Sequence, residues 1–327
     1  MKILVRLPNW LGDMVMSVGV IHQLPHFFTG AEVSVIAKKG IHELLDFFPS
    51  VKHKFVFNRD EYDGVRGLWK FGREIRRTEK FDLFISLPDS FSSALMGYAT
   101  GTKKRIGYKK EGRNLLLTNA YDKPRRIHRV DEYVQLLEAY TGKERSAVNV
   151  SLKHSFAKKE NIVVNINSEA SSRRLTPAKA IEIISAVRNQ EKANIILIGG
   201  QKEKAFVDEV LQQLPVKQGI ESVAGKTSLK GLVELLASAK LLLSTDSGPA
   251  HLANALGTET IVLFGAGNEN NTAPYGKDKL AVIRLGKLSC EPCTKNVCIQ
   301  FGTPQCLELL ETGAILSLLK QKITTND

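Results

Sequence analysis

An acid, a hydroxyl, a glycine and a histidine follow a short apolar run, in residues 246–251. The acid and the hydroxyl are favoured helix caps, the glycine lets a ligand approach the backbone, and the adjacent proline suits a first helical position. Free N–H groups and the helix dipole at such an N-terminus attract phosphate oxygens. The pattern therefore predicts a strand, a diphosphate-binding turn and a helix, with these candidate ligand contacts: Asp246, Ser247, Gly248 and His251. The alternative is that these residues only cap a helix and that the histidine fills a core position.

A second acid follows the first apolar run of the chain. Residues 2–7 have the pattern of a strand, and Gly12 and Asp13 come next on a βα loop or on the first turn of a helix. Ligands of open α/β sheets bind at the carboxyl ends of the strands. Two such crevices, one in each half of the chain, predict a cleft between two domains. A helix-capping role is the alternative for Asp13.

Two adjacent arginines lie in a loop of small residues that follows an apolar run at residues 162–166. The hydroxyls of Ser171 and Ser172 can bond phosphate oxygens, and a guanidinium from Arg173 or Arg174 can bind them through two hydrogen bonds. This loop is therefore a second candidate phosphate contact. A solvated loop without a ligand is the alternative.

All the cysteines of the chain stand in one segment with the spacing C-x2-C-x4-C-x7-C: Cys290, Cys293, Cys298 and Cys306. Clustered cysteines in an intracellular chain indicate a structural zinc site, although this spacing differs from the common zinc templates. Reduced structural thiols and disulfides are the alternatives.

Composition limits the classes of protein that the chain can be. With 327 residues, 43% of them apolar, it can bury the cores of about two domains. Its longest apolar runs fall far short of the roughly 20 residues that cross a bilayer, and its N-terminus enters a strand instead of a signal peptide. We therefore expect a cytoplasmic protein.

The net charge of +12 is concentrated in the first half of the chain. Ten basic residues and only two acids lie between residues 103 and 129, a pattern that favours an anionic partner such as an acceptor or a membrane surface. Nucleic acid is disfavoured because few aromatics are interleaved and no nucleic-acid-binding motif is present. The candidate acceptor contacts are Lys104, Arg105 and Arg113, with solvated surface charge as the alternative.

Strand and helix patterns alternate along both halves, which favours parallel sheets built of βαβ units. Strands are predicted at residues 3–7, 32–37, 54–57, 82–87, 105–108, 162–166, 194–198, 241–244 and 260–264. Helices of the second half are predicted at residues 177–189, 203–213, 229–238 and 249–255. The polar residues 151–160 are the predicted linker between the two halves.

The motifs at residues 6–17, 165–177 and 244–252, together with the cysteine segment, resemble those of the ADP-heptose:lipopolysaccharide heptosyltransferases, closest to heptosyltransferase II. The resemblance implies an α/β fold of the GT-B type, with two Rossmann-like, doubly wound domains that face each other across a cleft. Residues 1–152 would bind the acceptor and residues 153–327 the nucleotide sugar. The C-terminal helix is a candidate to pack back on the first domain.

The resemblance also implies inverting transfer of heptose from ADP-heptose to the inner core of lipopolysaccharide, with no cofactor. Asp13 would be the general base, Gly12 would lie beside the acceptor, and the residues around Asp246 would hold the donor diphosphate. The family's lysine is replaced in the phosphate loop, where loop position favours Arg173 over Arg174. Further donor contacts implied by the resemblance are Ser171, Glu203 near the ribose and Thr227 near the adenine.

The expected partners are a nucleotide-sugar donor, an anionic lipid-linked saccharide acceptor and, peripherally, the cytoplasmic face of the inner membrane. Nucleic acid is not expected. Two other functions fit the same motifs: transfer of a different sugar to another surface glycan, and nucleotide-sugar binding without transfer. A two-domain dehydrogenase is excluded because the loop at residues 8–13 has one glycine where the dinucleotide fingerprint needs three.

Overall fold

The computed structural model describes residues 1–110 and 112–324. The chain divides into two compact units, Met1–Lys153 and His154–Asp327. Residues 142–160, which include the predicted linker, contain neither helix nor strand. Within the described residues, every helix is too short or too polar to cross a membrane.

The first unit alternates strands and helices, with two additional 3₁₀ turns at His42–Asp46 and Arg113–Leu116. Its elements, in chain order, are β1 Lys2–Arg6, α1 Leu11–Met16, α2 Val18–Phe27, β2 Glu32–Lys38, β3 Lys54–Phe57, α3 Gly64–Thr78, β4 Leu83–Ser86, α4 Phe91–Ala99, β5 Lys104–Tyr108, β6 Asn119–Tyr121 and α5 Arg129–Thr141.

These six strands form one parallel sheet in the order β3-β2-β1-β4-β5-β6. The central strands β1 and β4 are mostly apolar and, apart from Lys2, buried, as expected for a sheet covered on both faces. Leu68, Phe71 and Ile75 of α3 pack with Leu95 and Met96 of α4 in one hydrophobic cluster. The helix α4 has a side-chain cap, since the Ser90 hydroxyl accepts a hydrogen bond from its first turn.

The second unit has the same alternation, with 3₁₀ turns at Ser171–Arg173 and Lys277–Lys279. Its elements are β7 Asn161–Asn165, α6 Pro177–Gln190, β8 Asn194–Leu197, α7 Lys204–Gln213, β9 Ile220–Ser222, α8 Leu229–Ser238, β10 Leu241–Thr245, α9 Gly248–Ala255, β11 Glu259–Phe264, α10 Glu269–Thr272, β12 Leu280–Arg284, α11 Gln305–Glu308 and α12 Thr312–Thr324.

Its strands also form one parallel sheet, in the order β12-β11-β10-β7-β8-β9. Each sheet, read from its own first strand, therefore has the order 3-2-1-4-5-6 of doubly wound dinucleotide folds. The C-terminal helix α12 packs on α6 and β11 of its own unit, where Ile315 and Leu319 are fully buried in the core.

The α/β prediction is confirmed, and a strand lies at each of the nine predicted positions. Three further strands, β6, β9 and β12, were not predicted from the sequence. All three lie at or next to sheet edges, and their side chains are only partly buried. The strands β6 and β9 are three residues long and lack the continuous apolar run by which buried parallel strands are recognised, whereas β12 has such a run at residues 280–283 and was missed all the same.

Candidate active site

The strand order of each sheet reverses between its first and fourth strands, and ligands of doubly wound folds bind at this switch point. In the second unit the switch lies between β7 and β10, which pair directly along residues 241–244. The loop at residues 166–176 leaves β7, and residues 246 and 247 leave β10. The two predicted phosphate-binding motifs are therefore brought together at one end of this sheet.

Arg173 and Asp246 meet at this point. A guanidinium nitrogen of Arg173 lies 3.3 Å from Oδ2 of Asp246, whose side chain is only 5% exposed. Burial raises the pKa of Asp246 to about 6, against the opposing effect of the arginine. A side chain at Gly267 would clash with this carboxylate, since a Cβ there would lie 2.1 Å from Oδ2. The backbone thus closes tightly around a carboxyl whose charge is poorly solvated.

Ser247 is the residue before the first turn of α9, but its side chain does not cap the helix. Its hydroxyl accepts a hydrogen bond of 2.8 Å from Nδ2 of Asn165, which also donates to Ser244. The predicted capping role is therefore wrong for this hydroxyl, and the N-terminal amides of α9 receive no cap from it. Asn165 was not identified in the sequence, although it is the polar residue that ends an apolar strand.

The two neighbouring arginines have different surroundings. Arg174 donates to the carbonyl of Ser168 and its guanidinium lies 5.4 Å from the ring centre of Phe206. These contacts hold Arg174, whereas the guanidinium of Arg173 faces the Asp246 carboxylate. Of the two alternatives left by the sequence, the geometry favours Arg173 as the arginine that can meet a ligand.

The loop that carries Arg173 is fastened to the cysteine segment. The Ser172 amide and the Ser171 hydroxyl donate to the carbonyl of Asn296, at 3.2 and 3.3 Å, and the Ser172 hydroxyl donates to that of Lys295 at 2.5 Å. Both serines were predicted phosphate contacts. In this structure their hydroxyls hold the loop in place, and their contact with phosphate stays a prediction.

The remaining predicted donor residues lie around the same sheet. His251 is buried in the first turn of α9, after Gly248 at its first position. Glu203 stands beside Gly200 at the start of α7, and Thr227 is exposed just before α8. Glu203 follows β8 and Thr227 follows β9, and both strands lie on the same side of β7.

In the first unit, Asp13 lies in the first turn of α1, directly after Gly12. Its side chain is 31% exposed, and a guanidinium nitrogen of Arg129 lies 3.9 Å from Oδ1. Burial raises the pKa of Asp13, while the positive charge of Arg129 lowers it. The result is an accessible carboxyl of enhanced basicity next to a fixed cation.

A chain of charged residues, not predicted from the sequence, connects Asp13 with the loop after β4. Arg129 bonds Glu132 at 2.9 Å, and Lys123 bridges Glu132 at 3.0 Å and Asp89 at 2.5 Å. Asp89 follows β4 as Asp13 follows β1, so the two acids flank the switch point of this sheet. The signal that could have found Asp89 is its position shortly after the buried strand β4.

The predicted acceptor cations are only partly on the surface. Lys104 is exposed, but Arg105 donates to the carbonyls of Leu116 and Thr102. Arg113 is fully buried, donates to the carbonyl of Pro88 at 2.5 Å, and lies 3.9 Å from Asp89. The prediction that Arg113 contacts an acceptor is corrected, because this side chain is buried. Its guanidinium instead contacts Pro88 and Asp89 in the loop after β4.

The four cysteines are free thiols that line one small cavity together with Glu291. Burial raises the pKa of the Cys306 thiol to about 11, and Glu291 contributes further. In the part of the chain that the structure describes, no three side chains of cysteine, histidine, aspartate or glutamate are arranged to hold a metal ion.

Two doubly wound parallel sheets, one in each unit, are the architecture of the GT-B fold. The family model "Glycosyltransferase family 9 (heptosyltransferase)" matches residues 68–302. The chain belongs to this family and is a glycosyltransferase.

Relatives and solved structures agree with this membership. Lipopolysaccharide heptosyltransferase 2 of Salmonella typhimurium is 30% identical over 317 residues, which cover 87% of this chain and 88% of the relative. Lipooligosaccharide heptosyltransferase 2 of Haemophilus influenzae is 26% identical over 313 residues, covering 87% of this chain and 89% of the relative.

The same fold occurs in E. coli ADP-heptose LPS heptosyltransferase II, with a TM-score of 0.85, 23% identity and coverage of 100% and 99% of the two chains. It also occurs in a family 9 glycosyltransferase from Veillonella parvula, with a TM-score of 0.84, 17% identity and coverage of 99% and 97%.

Proposed function

We propose that the chain transfers heptose from ADP-heptose to the inner core of lipopolysaccharide, with inversion at the anomeric carbon and without a metal cofactor. The observation that carries the proposal is the Arg173–Asp246 pair beside the N-terminus of α9. It places a cation and a hydrogen-bond acceptor next to amides that attract a diphosphate. The sugar and acceptor are those in the name of the E. coli structure and of the Salmonella relative.

On the donor side, Arg173, His251 and the amides of α9 would donate to the diphosphate. An ionised carboxylate only accepts hydrogen bonds, so Asp246 would bind sugar hydroxyls and hold Arg173 in place. This refines the sequence prediction that grouped Asp246 with the diphosphate contacts. Glu203 at the ribose and Thr227 at the adenine complete the proposed donor site.

Negative charge grows on the diphosphate as the bond to the sugar breaks. Donors fixed before the reaction stabilise that charge more in the transition state than in the ground state. Arg173 and the helix N-terminus would therefore supply what a divalent cation supplies in metal-dependent transferases. This is the physical reason to expect activity in the presence of EDTA.

On the acceptor side, Asp13 would remove the proton of the attacking hydroxyl, which approaches the anomeric carbon from the face opposite the diphosphate. A carboxyl with a raised pKa is a better base near neutral pH. Arg129 would keep the carboxylate oriented and ionised before the acceptor arrives. The first unit would thus bind the acceptor and the second the donor.

The acceptor would be an anionic, lipid-linked saccharide, reached at the cytoplasmic face of the inner membrane by peripheral contact. Lys104 and Gly12 stay candidate acceptor contacts. Support for an anionic acceptor comes from the excess of basic residues in the first half of the chain.

Turnover of ADP-heptose, UDP-sugars and GDP-sugars with truncated lipopolysaccharide acceptors, read by mass spectrometry, tests the proposal. The expected product is an acceptor heavier by one heptose, formed from ADP-heptose alone and at the same rate in EDTA. Turnover of a UDP-sugar with no response to ADP-heptose would assign another donor. Binding of ADP-heptose without a product on any acceptor would indicate a binding protein.

A further inference from the structure

Large apolar side chains are exposed on one face of the first unit, which we term the aromatic-basic face. Trp69 of α3 is 40% exposed, Tyr98 and Phe91 of α4 are 44% and 47% exposed, and Leu115 of the neighbouring 3₁₀ turn is 90% exposed. Exposed apolar side chains are ordinary when scattered, but several large ones on neighbouring elements are typical of an interaction surface.

The four side chains belong to elements that pack together. The rings of Trp69 and Tyr98 lie 5.8 Å apart between centres, which joins α3 to α4. Phe91 and Tyr98 are seven residues apart in α4 and therefore share one side of this helix. The 3₁₀ turn with Leu115 packs on α4 as well. The apolar side chains thus lie on neighbouring elements of the first unit.

Cations accompany the aromatic rings. The helix α3 has a single acid, Glu74, against five basic residues: Arg66, Lys70, Arg73, Arg76 and Arg77. Val65, Trp69, Arg73 and Arg76 are spaced by three and four residues, so they lie on the same side of the helix. Among the described residues, Lys70 is the cation of this helix that contacts an acid, with 4.0 Å to Glu74. The guanidinium of Arg105 covers the Tyr98 ring at 5.1 Å.

We propose that the aromatic-basic face docks the first unit on the anionic surface of a phospholipid bilayer. Tryptophan and tyrosine favour the membrane–water interface, and unpaired arginines gain energy close to anionic headgroups. A helix with basic residues beside a tryptophan on one side is typical of such contacts. The inference rests on the proposed function, because a lipid-linked acceptor requires the enzyme at a membrane.

Nucleic acid is the other polyanion that this charge could bind. The apolar side chains decide against it, since Leu115, Phe91 and Val65 offer a duplex nothing to bond and gain most from burial in a lipid interface. The same composition argues against a soluble acidic partner without an apolar surface.

Fluorescence of the intact protein with Trp10→Phe tests the proposal, because Trp69 is then the single tryptophan of the chain. Vesicles of phosphatidylethanolamine with phosphatidylglycerol are expected to shift its emission to shorter wavelength and to sediment the protein. Each cation near an anionic surface contributes about 1 kcal/mol, or about five-fold in partitioning, so Arg73→Glu with Arg76→Glu should weaken sedimentation at least about 20-fold.

The matched control reverses two exposed cations of the second unit, Lys217→Glu with Lys230→Glu, and should leave vesicle binding unchanged. Thermal unfolding and ADP calorimetry of both variants show that each is folded and binds donor. The proposal is overturned if Trp69 emission does not shift, if both double variants sediment equally, or if a DNA duplex shifts the emission and vesicles do not. None of these results depends on sugar transfer, so failure here and failure of the proposed function are distinguishable.

Discussion

Asp13 and Asp246 are two carboxyls with arginine neighbours and different degrees of exposure. Asp13 is 31% exposed and 3.9 Å from Arg129, whereas Asp246 is 5% exposed and 3.3 Å from Arg173. Burial raises the pKa of both groups. An accessible carboxyl can take a proton from a bound acceptor, whereas an enclosed carboxyl can position a ligand. The proposed mechanism assigns the first role to Asp13 and the second to Asp246.

Replacement of Asp13 by asparagine should strongly slow sugar transfer and leave ADP affinity unchanged. The amide keeps the shape of the side chain and cannot accept a proton, so the loss should be about 10²–10⁴-fold in kcat. Steady-state kinetics and ADP calorimetry measure the two effects. Asp122→Asn, at an exposed acid of the same unit, is the control. An Asp13→Asn enzyme as fast as the parent would reduce Asp13 to a structural residue.

Replacement of Arg129 by glutamine should move the acid limb of the pH–rate profile to higher pH. The positive charge lowers the pKa of Asp13, so its removal raises that pKa and the base becomes protonated at a higher pH. Arg129→Lys keeps a cation and should restore the parental limb in part. The profile of kcat/KM against pH is the measurement, and an unmoved limb in the glutamine variant would separate Arg129 from the base.

At the level of the elements, the loop between β7 and α6 carries two adjacent arginines whose effects on ADP binding can be compared directly. Arg173→Ala should weaken ADP binding by about 1.5–3 kcal/mol if its hydrogen bonds to the diphosphate are charge-assisted. Arg174→Ala removes the same side chain one position along, where it bonds Ser168, and should weaken binding less. Calorimetry with ADP gives both values, and the reverse order would exchange the roles of the two arginines.

We expect the four cysteines to react as thiols and to have no role in catalysis. We expect thiol titration to find four free groups, with Cys306 the slowest because burial raises its pKa to about 11. Metal analysis of protein purified without chelators should find no zinc. One zinc per chain would instead support a tetrathiolate site that forms by rearrangement of the segment.

The elements also show how much of the fold could be predicted from the sequence. Apolar runs predicted every strand that is buried on both faces, and the motifs after β1, β7 and β10 predicted the loops that carry Asp13, Arg173 and Asp246. The edge strands β6 and β9 were missed because such short strands lack that signal, and β12 was missed although residues 280–283 are a continuous apolar run. Asp89 and the burial of Arg113 were missed because both depend on which strands become neighbours, a property of the assembled sheet.

At the scale of the whole molecule, both units repeat one strand order, so the site loops of each follow its first and fourth strands. Asp13 and Asp89 hold these positions in the first unit. Arg173 and Asp246 hold them in the second. Once the order of one sheet is known, the equivalent loops of the other are the places to search for functional residues.

The stability of the ligand-free protein should depend on Asp246 between about pH 4 and 6. Its pKa rises from 3.8 to about 6 on folding. Because the folded value is the higher one, the stabilisation is complete below about pH 4 and is lost as pH rises through 6. The shift corresponds to about 3 kcal/mol.

Asp246→Asn removes this dependence and should be the more stable protein at pH 7, by up to that amount. The difference in unfolding free energy between parent and variant, followed against pH, is the measurement, with Asp122→Asn as the control. A difference that stays constant from pH 4 to 7 would contradict the prediction.

The hydrogen bonds from Ser171 and Ser172 to Lys295 and Asn296 limit how this enzyme can be redesigned. The arginine loop and the cysteine segment are more than a hundred residues apart in the chain, yet the second supplies the backbone carbonyls on which the first rests. A chimera that imports only residues 168–176 from a transferase of another donor preference would place a foreign loop on an unmatched support. Transplants of donor preference in this family therefore require both segments to be exchanged as a pair.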